Sequence, residues 1–122
     1  TEKHVLIVND NRINLKIAEK ILKDLGYNTA LAENGFEALS KVENGNYDAI
    51  LMDVRMPIMD GYEATNKIRK SGNNVPIIAV TANAMDGERE NCKQAGMNDY
   101  LTKPLNKKVV GEMLQKWIVT QI

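Results

Sequence analysis

Four polar side chains in this sequence are of types that could act together on a phosphoryl group. Asp10, Asp53 and Thr81 each follow a run of apolar residues, and Lys103 follows a weaker run and precedes a proline. Two neighbouring carboxylates repel each other, and a divalent cation between them relieves that repulsion. Oxygen ligands favour Mg²⁺. A carboxylate can attack phosphorus, while a lysine and a hydroxyl can hold phosphoryl oxygens. The set predicts a Mg²⁺-dependent phosphoacceptor site.

Each aspartate also has an ordinary explanation when it is taken alone. Asp commonly caps helices and begins turns, and both Asp10 and Asp53 precede segments with helical character. The chemical interpretation therefore depends on whether the fold brings the four side chains to one place.

Five short segments are predicted to be strands. Three of them are continuous apolar runs without strict alternation, which is typical of strands buried on both faces of a parallel sheet. The five are Val5–Val8, Asn28–Ala32, Ala49–Met52, Val75–Val80 and Asn98–Thr102.

The segments between the predicted strands have helical spacing. The first helix is predicted to bury one face and to end at Gly26; that face consists of Ile13, Ile17, Ile21, Leu22 and Leu25. Asn34 with Glu37, and Asp60 with Glu63, resemble capping boxes that begin the second and third helices. Residues 84–95 are polar and weakly patterned, so a marginal helix is expected there. A firm apolar stripe closes the chain: Val109, Val110, Met113, Leu114, Trp117 and Ile118.

This alternation of strand and helix, repeated five times, predicts an α/β fold with a parallel, doubly wound sheet and a single domain over residues 1–122. The carboxyl ends of parallel strands lie at one edge, where ligands bind in such sheets. The polar residues at the strand ends are therefore expected at that edge.

Composition excludes several classes of protein. Apolar residues make up 43% and charged residues 26% of the 122 residues, with 16 basic and 16 acidic side chains. This balance gives no sign of direct contact with nucleic acid or with a membrane. One cysteine permits no internal disulfide, and no apolar run approaches the ~20 residues that span a bilayer. No signal-peptide pattern opens the chain, so a cytoplasmic location is expected. Nucleotide-binding glycine loops are missing from the sequence.

Several motifs in their order along the chain resemble those of the response-regulator receiver family of two-component signalling. They are Val5 to Asp10, "Ile50-Leu51-Met52-Asp53-Val54-Arg55-Met56-Pro57" leading to Asp60-Gly61, "Val80-Thr81-Ala82", and "Tyr100-Leu101-Thr102-Lys103-Pro104". The resemblance implies a flavodoxin-like sheet of five strands in the order 2-1-3-4-5, with five helices. Strands one and three are then neighbours, about 4.8 Å apart, which brings Asp10 close to Asp53.

The resemblance also implies a role for each matching residue. Asp53 would be the phosphorylated residue, Asp10 an acidic Mg²⁺ ligand, and Arg55 a ligand through its backbone carbonyl. Thr81 and Lys103 would engage the phosphoryl group. Further roles follow at four positions: Tyr100 as the aromatic that moves with Thr81, Arg55 and Asn83 as positions that tune phosphoryl lifetime, and Pro104 as part of the donor-docking surface.

The motifs are most like those of receivers in hybrid histidine kinases. The expected partners are a histidine kinase, a histidine phosphotransfer protein, or both. The donor histidine should approach Asp53 past the small Ala82, over the start of the first helix, where the docking residues would be Asn11, Ile13, Asn14 and Leu15. The phosphorylated state is expected to change the surface formed by helix four, strand five and helix five. The sequence fits both a separate domain and a segment of a larger kinase.

One departure from the family pattern concerns Asn9, where the family usually has an acidic residue. Asn9 would contribute to Mg²⁺ binding only weakly or through water, so a higher Mg²⁺ requirement is expected. An alternative is a pseudo-receiver, an interaction module with weakened metal binding. Another alternative is a phosphatase of the haloacid dehalogenase type, which would need a second aspartate where Arg55 stands. The preferred prediction is a switch that catalyses only its own phosphorylation and dephosphorylation.

Overall fold

Five parallel strands form one sheet in the order β2-β1-β3-β4-β5, and five helices alternate with them along the chain. The computed structural model describes residues 3–56, 58–82, 86–103 and 105–119, without the side chains of residues 86–88 and 119. The strands are β1 (His4–Val8), β2 (Asn28–Ala32), β3 (Ala49–Asp53), β4 (Ile77–Thr81) and β5 (Asp99–Thr102). The helices are α1 (Arg12–Asp24), α2 (Gly35–Asn44), α3 (Gly61–Lys70), α4 (Asp86–Ala95) and α5 (Lys107–Val119). The predicted fold class and strand order are confirmed.

The sheet has a separate apolar core on each face. One core joins β-strand residues such as Leu6 and Met52 to α2, α3 and α4. The other joins alternate strand residues such as Ile7 and Leu51 to α1 and α5. Successive side chains of a strand point to opposite faces, so a strand covered by helices on both sides must be apolar throughout. This explains the continuous runs in β1, β3 and β4.

Strand β4 begins two residues later than predicted. Pro76 has no N–H to give to a sheet, and the N–H of Val75 is bonded to the side chain of Asn73 at 2.9 Å. The regular ladder therefore starts at Ile77 and extends to Thr81, which places Thr81 within the strand.

The buried face of α1 differs from the predicted one. Leu15, Ala18 and Leu22 are its buried residues, whereas Ile13 is 70% exposed and Ile17 is 50% exposed. The prediction was wrong for these two isoleucines, because α1 is rotated about its axis so that Leu15 and Ala18 face the sheet instead. The predicted end of α1 is confirmed: Gly26 follows with φ of 96°, a conformation that glycine adopts without steric cost.

Both predicted helix starts after β2 and β3 are confirmed. The side chain of Asn34 accepts a hydrogen bond from the N–H of Glu37 at 2.8 Å. The side chain of Asp60 accepts one from the N–H of Glu63 at 2.9 Å. These caps satisfy N–H groups that have no partner within the helix, and they fix where α2 and α3 leave the edge of the sheet.

Both of the last two predicted helices are present, but the predicted apolar stripe of α5 is wrong at Val109. Helix α4 runs from Asp86 to Ala95, so the predicted residues Ala84 and Met85 lie outside the described part of the chain. In α5, Val110, Leu114 and Ile118 are buried, while Val109 is 47% exposed. None of the described helices is both long and apolar enough to span a membrane.

Candidate functional site

The carboxyl edge of the sheet brings the predicted site residues together. In the register of the sheet, Asp53 pairs with Val80, and Thr81 pairs with Thr102. The N–H of Lys103 continues this ladder by donating to the carbonyl oxygen of Thr81 at 2.8 Å. Parallel strands thus deliver Asp53, Thr81 and Lys103 to one edge from three separate segments.

Asp53 and Lys103 form the central ion pair of this edge. The Lys103 Nζ lies 3.2 Å from the Asp53 Oδ1. The Asp53 side chain is only 4% exposed, whereas that of Lys103 is 32% exposed. The carboxylate is therefore buried, and the ammonium group that pairs with it lies closer to the solvent.

Burial raises the pKa of the Asp53 carboxyl above its ordinary value. The charge and hydrogen bond of Lys103 and a hydrogen bond from the Arg55 backbone N–H act in the opposite direction, and the negative charge of Asp10 adds to the rise. Desolvation is the largest of these causes, so the charged form of Asp53 is only partly compensated in the protein alone.

The raised pKa of the Asp53 carboxyl can be tested by a measurement of stability against pH. A raised folded-state pKa means that the native state binds more protons than the unfolded state between pH 3.8 and the raised value, so stability falls as pH rises through that window. Asp53→Asn removes the desolvated charge, and we expect it to increase the free energy of unfolding at pH 7. The gain should shrink at pH 4.

Urea unfolding in EDTA at both pH values measures this effect. Asp48→Asn is the matched control, because Asp48 immediately precedes the amino end of the same strand, whereas Asp53 is at its carboxyl end. If Asp53→Asn were less stable than the wild type at pH 7, the raised pKa of Asp53 would be contradicted.

The predicted metal ligands occupy different environments. Asp10 is exposed, and Asn9 is buried, with 6% of its surface exposed. The Asn9 Oδ1 accepts a hydrogen bond from the N–H of Asn11 at 2.9 Å, so this side chain shapes the turn into α1. Within the described residues, no group of three or more His, Cys, Asp and Glu side chains could hold a metal ion. A cation here would therefore need backbone or amide oxygens besides Asp10 and Asp53.

Thr81 and Tyr100 belong to the neighbouring strands β4 and β5. Thr81 is buried, with 3% of its surface exposed, and Tyr100 is half-buried against the core that includes α4. The Tyr100 hydroxyl accepts a hydrogen bond from the Arg89 Nη2 at 3.2 Å. The switch role predicted for these two residues stays a prediction.

The predicted docking residues lie around the same edge. Asn11 and Ile13 are exposed, Asn14 is half-buried, and Ala82 is exposed. Leu15 is only 3% exposed, so it supports α1 from beneath and presents no side chain to a partner. Two further predicted residues, Asn83 and Pro104, lie outside the described residues.

Gly61 is a positioning residue that the sequence interpretation did not single out. A Cβ atom at Gly61 would collide with the carbonyl oxygen of Asp53 and would lie 3.0 Å from the Cα of Val54. The Gly61 N–H also donates to the Val54 carbonyl at 2.9 Å. Glycine thus lets the start of α3 pack directly against the end of β3. The Asp-Gly step at positions 60 and 61 was the available signal.

Comparison with known proteins agrees with this geometry. A family model described as "Response regulator receiver domain" matches residues 5–115. The chain belongs to this family, the receivers of two-component signalling.

Relatives and solved structures extend the comparison. The chain is 42% identical over 126 residues to hybrid signal transduction histidine kinase B of Dictyostelium discoideum, covering 92% of the chain but 6% of that kinase. It spans 13% of the length of two Pseudomonas sensor kinases that it also matches.

The crystal structure of the receiver domain of sensor histidine kinase PA1611 from Pseudomonas aeruginosa has a magnesium ion coordinated in its active site cleft. It is 49% identical, with a TM-score of 0.89, over 98% of this chain and 99% of that one. The Saccharomyces cerevisiae receiver domain of Ssk1 was crystallised with the histidine phosphotransfer protein Ypd1. That structure is 32% identical, with a TM-score of 0.91, over 98% of this chain and 91% of the other. The predicted likeness to hybrid-kinase receivers is confirmed.

Proposed function

We propose that this chain is a phosphoacceptor switch, which accepts a phosphoryl group from a phosphohistidine onto Asp53 in the presence of Mg²⁺. The observation that carries the proposal is the buried Asp53 carboxylate with the Lys103 Nζ at 3.2 Å. The domain would comprise residues 1–122, in a cytoplasmic setting and without direct contact to nucleic acid or membrane.

The proposed reaction needs positioning and charge neutralisation more than covalent help from the protein. A carboxylate oxygen of Asp53 forms a bond to phosphorus while the bond to the donor histidine nitrogen breaks, and the electron pair stays on that nitrogen. Lys103 neutralises charge on the transferred group, and the Thr81 hydroxyl donates to another phosphoryl oxygen. The chain then acts on no substrate besides its own phosphoryl group.

The oxygen donors at this edge fit Mg²⁺. Asp10, Asp53 and the Arg55 carbonyl would hold the ion, with Asn9 acting weakly or through water, and water molecules would complete the coordination that Mg²⁺ prefers. A bound cation supplies charge neutralisation at the phosphoryl oxygens. It would also offset the uncompensated burial of the Asp53 carboxylate, whose pKa is raised by desolvation.

The donor is proposed to be a histidine kinase or a histidine phosphotransfer protein. The complex of Ypd1 with a receiver domain supports this class of partner. The exposed start of α1, with Asn11 and Ile13, is the proposed docking surface, together with Ala82. The added charge, about −1.5 to −2, would change the surface of α4, β5 and α5, with Tyr100 following Thr81.

Intact-mass measurement tests the proposal. Wild-type protein incubated with Mg²⁺ and acetyl phosphate should gain one phosphoryl group, and EDTA should prevent the gain. Asp53→Asn should gain none, whereas the control Asp48→Asn should react normally. No adduct on the wild type would favour the pseudo-receiver alternative, and an adduct on Asp53→Asn would refute the assignment of the acceptor.

The Mg²⁺ affinity should depend on Asn9. We expect Asn9→Asp to bind Mg²⁺ about tenfold more tightly, because a third acidic group raises the negative charge at the site. Isothermal titration calorimetry with Mg²⁺ measures the change, with Asn66→Asp as a control on the exposed side of α3. Equal affinities in wild type and Asn9→Asp would contradict the expectation.

A further inference from the structure

Tyr100 and Thr81 project toward the same face of the sheet. Tyr100 pairs with Ala79, and Thr81 pairs with Thr102, in the register of β4 and β5. Paired residues of parallel strands share a face, and residues two apart return to it. Ala79 and the partly buried Tyr100 belong to the core that also contains Cys92 of α4. Thr81 and Tyr100 are therefore diagonal neighbours on one face of β4 and β5.

Arg89 of α4 contacts Tyr100 in two ways. Its guanidinium carbon lies 5.4 Å from the centroid of the Tyr100 ring, within the range of a cation–π interaction. Its Nη2 also donates to the Tyr100 hydroxyl at 3.2 Å. One arginine thus holds both the ring and the hydroxyl of the same tyrosine.

The backbone at Tyr100 is held from the other side by α5. The Asp99 Oδ1 accepts the Tyr100 N–H at 2.9 Å. The Asp99 Oδ2 accepts hydrogen bonds from the Trp117 Nε1 at 3.1 Å and the Lys116 Nζ at 3.3 Å. Because this arrangement fixes the start of β5 to α5, a change at Tyr100 must occur mainly in its side chain.

We propose that Arg89 is a positioning residue that latches Tyr100 toward α4 and thereby opposes the phosphorylated arrangement. The inference rests on the proposed function. When Thr81 moves toward a phosphoryl group on Asp53, space opens on its face of the sheet, and the Tyr100 ring can fill it only by leaving Arg89. Contacts that exist in one state of a two-state equilibrium set the population of the other state. Arg89 therefore sets how readily phosphorylation switches the domain.

Beryllofluoride binding in the presence of Mg²⁺ tests this latch, measured by isothermal titration calorimetry on the full chain. Arg89→Met keeps an unbranched side chain of similar length and removes the guanidinium. We expect it to bind beryllofluoride about fivefold more tightly than the wild type, because the phosphorylated arrangement no longer competes with the latch. Lys93→Met is the matched control, since Lys93 lies one turn further along the same helix and lines the same groove; its affinity should not change.

A second variant separates positioning from a general effect on stability. In a Tyr100→Ala background, Arg89→Met should produce no further tightening, because the residue on which the latch acts is gone. Melting temperatures identify a variant that is merely destabilised, and destabilisation alone does not tighten binding. Unchanged or weaker binding by Arg89→Met, beside normal binding by the wild type, would overturn the latch. Wild-type protein that binds no beryllofluoride would instead overturn the proposed function itself.

Discussion

Replacing Lys103 by methionine should slow phosphoryl transfer to Asp53 by about 10²–10³-fold, the loss typical when one preorganised charge-stabilising group is removed from a transition state. Lys103 is positioned for this role before any donor arrives. Its Nζ lies 3.2 Å from the acceptor carboxylate, and its backbone N–H is bonded to Thr81 in the adjacent strand. Methionine keeps the length of the side chain and removes its charge.

The same substitution has a consequence for pH dependence. The charge and hydrogen bond of Lys103 lower the pKa of Asp53 against the effect of burial. Without them the pKa should rise further, so the transfer rate of Lys103→Met should begin to increase only at a higher pH than that of the wild type.

Rates of phosphorylation by acetyl phosphate, followed by mass spectrometry across pH, measure both effects. Lys108→Met is the control, because Lys108 is an exposed lysine in the first turn of α5. A Lys103→Met variant that reacts within threefold of the wild-type rate at every pH would show that the ion pair has no part in transfer.

Arg69→Met should destabilise the domain by about 3 kcal/mol, which corresponds to a fall in melting temperature of roughly 10 °C for a chain of this size. The Arg69 guanidinium donates to the carbonyl oxygens of Gly96 at 2.9 Å, Asn73 at 3.0 Å and Val75 at 2.7 Å. It also donates to the Asn98 Oδ1 at 2.7 Å. One side chain thereby joins the end of α3 to the segments that precede β4 and β5.

The expected cost follows from what methionine leaves behind. Hydrogen bonds from a charged donor contribute about 1.5–3 kcal/mol, and acceptors that lose their partner in a partly buried place add a desolvation penalty. The guanidinium of Arg69 is half-buried, and this burial lowers its pKa because the charged form is partly desolvated.

Urea and thermal unfolding would measure the change. Lys67→Met is a matched control on the exposed side of the same helix. Arg69→Lys keeps the charge but cannot reproduce the planar fork of donors, so it should recover only a minor part of the loss. Equal stability of Arg69→Met and Lys67→Met would contradict the proposed role of this network.

The caps and the sheet show why part of the fold could be predicted from local pattern. Asn34 and Asp60 accept hydrogen bonds three residues along the chain, and such interactions depend on neighbouring residues alone. The buried strands β1, β3 and β4 were predicted from apolar runs, which are likewise a property of neighbouring residues. The start of β4 was predicted too early because the Val75 N–H donates to the Asn73 Oδ1 instead of to a neighbouring strand, despite the apolar character of that segment.

The face of α1 shows where local pattern fails. Ile13 and Ile17 have helical spacing and strong apolar character, yet Leu15 and Ala18 meet the sheet. When one helix has apolar residues around much of its circumference, its rotation is decided by the shape of the sheet beneath it. The packing roles of Gly61 and Arg69 were not predicted, because their partners, Asp53 and Gly96 among them, belong to other segments of the chain.

The sequence by itself determined the order of the elements, the residues at the strand ends and the family to which the chain belongs, because these depend on composition, spacing and short motifs. Only the tertiary structure decided the separation between Asp53 and Lys103, the burial that raises the pKa of Asp53, and the Arg89 contacts to Tyr100. Those quantities depend on how segments 11 to 50 residues apart pack in space, and desolvation and ion pairing arise only when that packing exists.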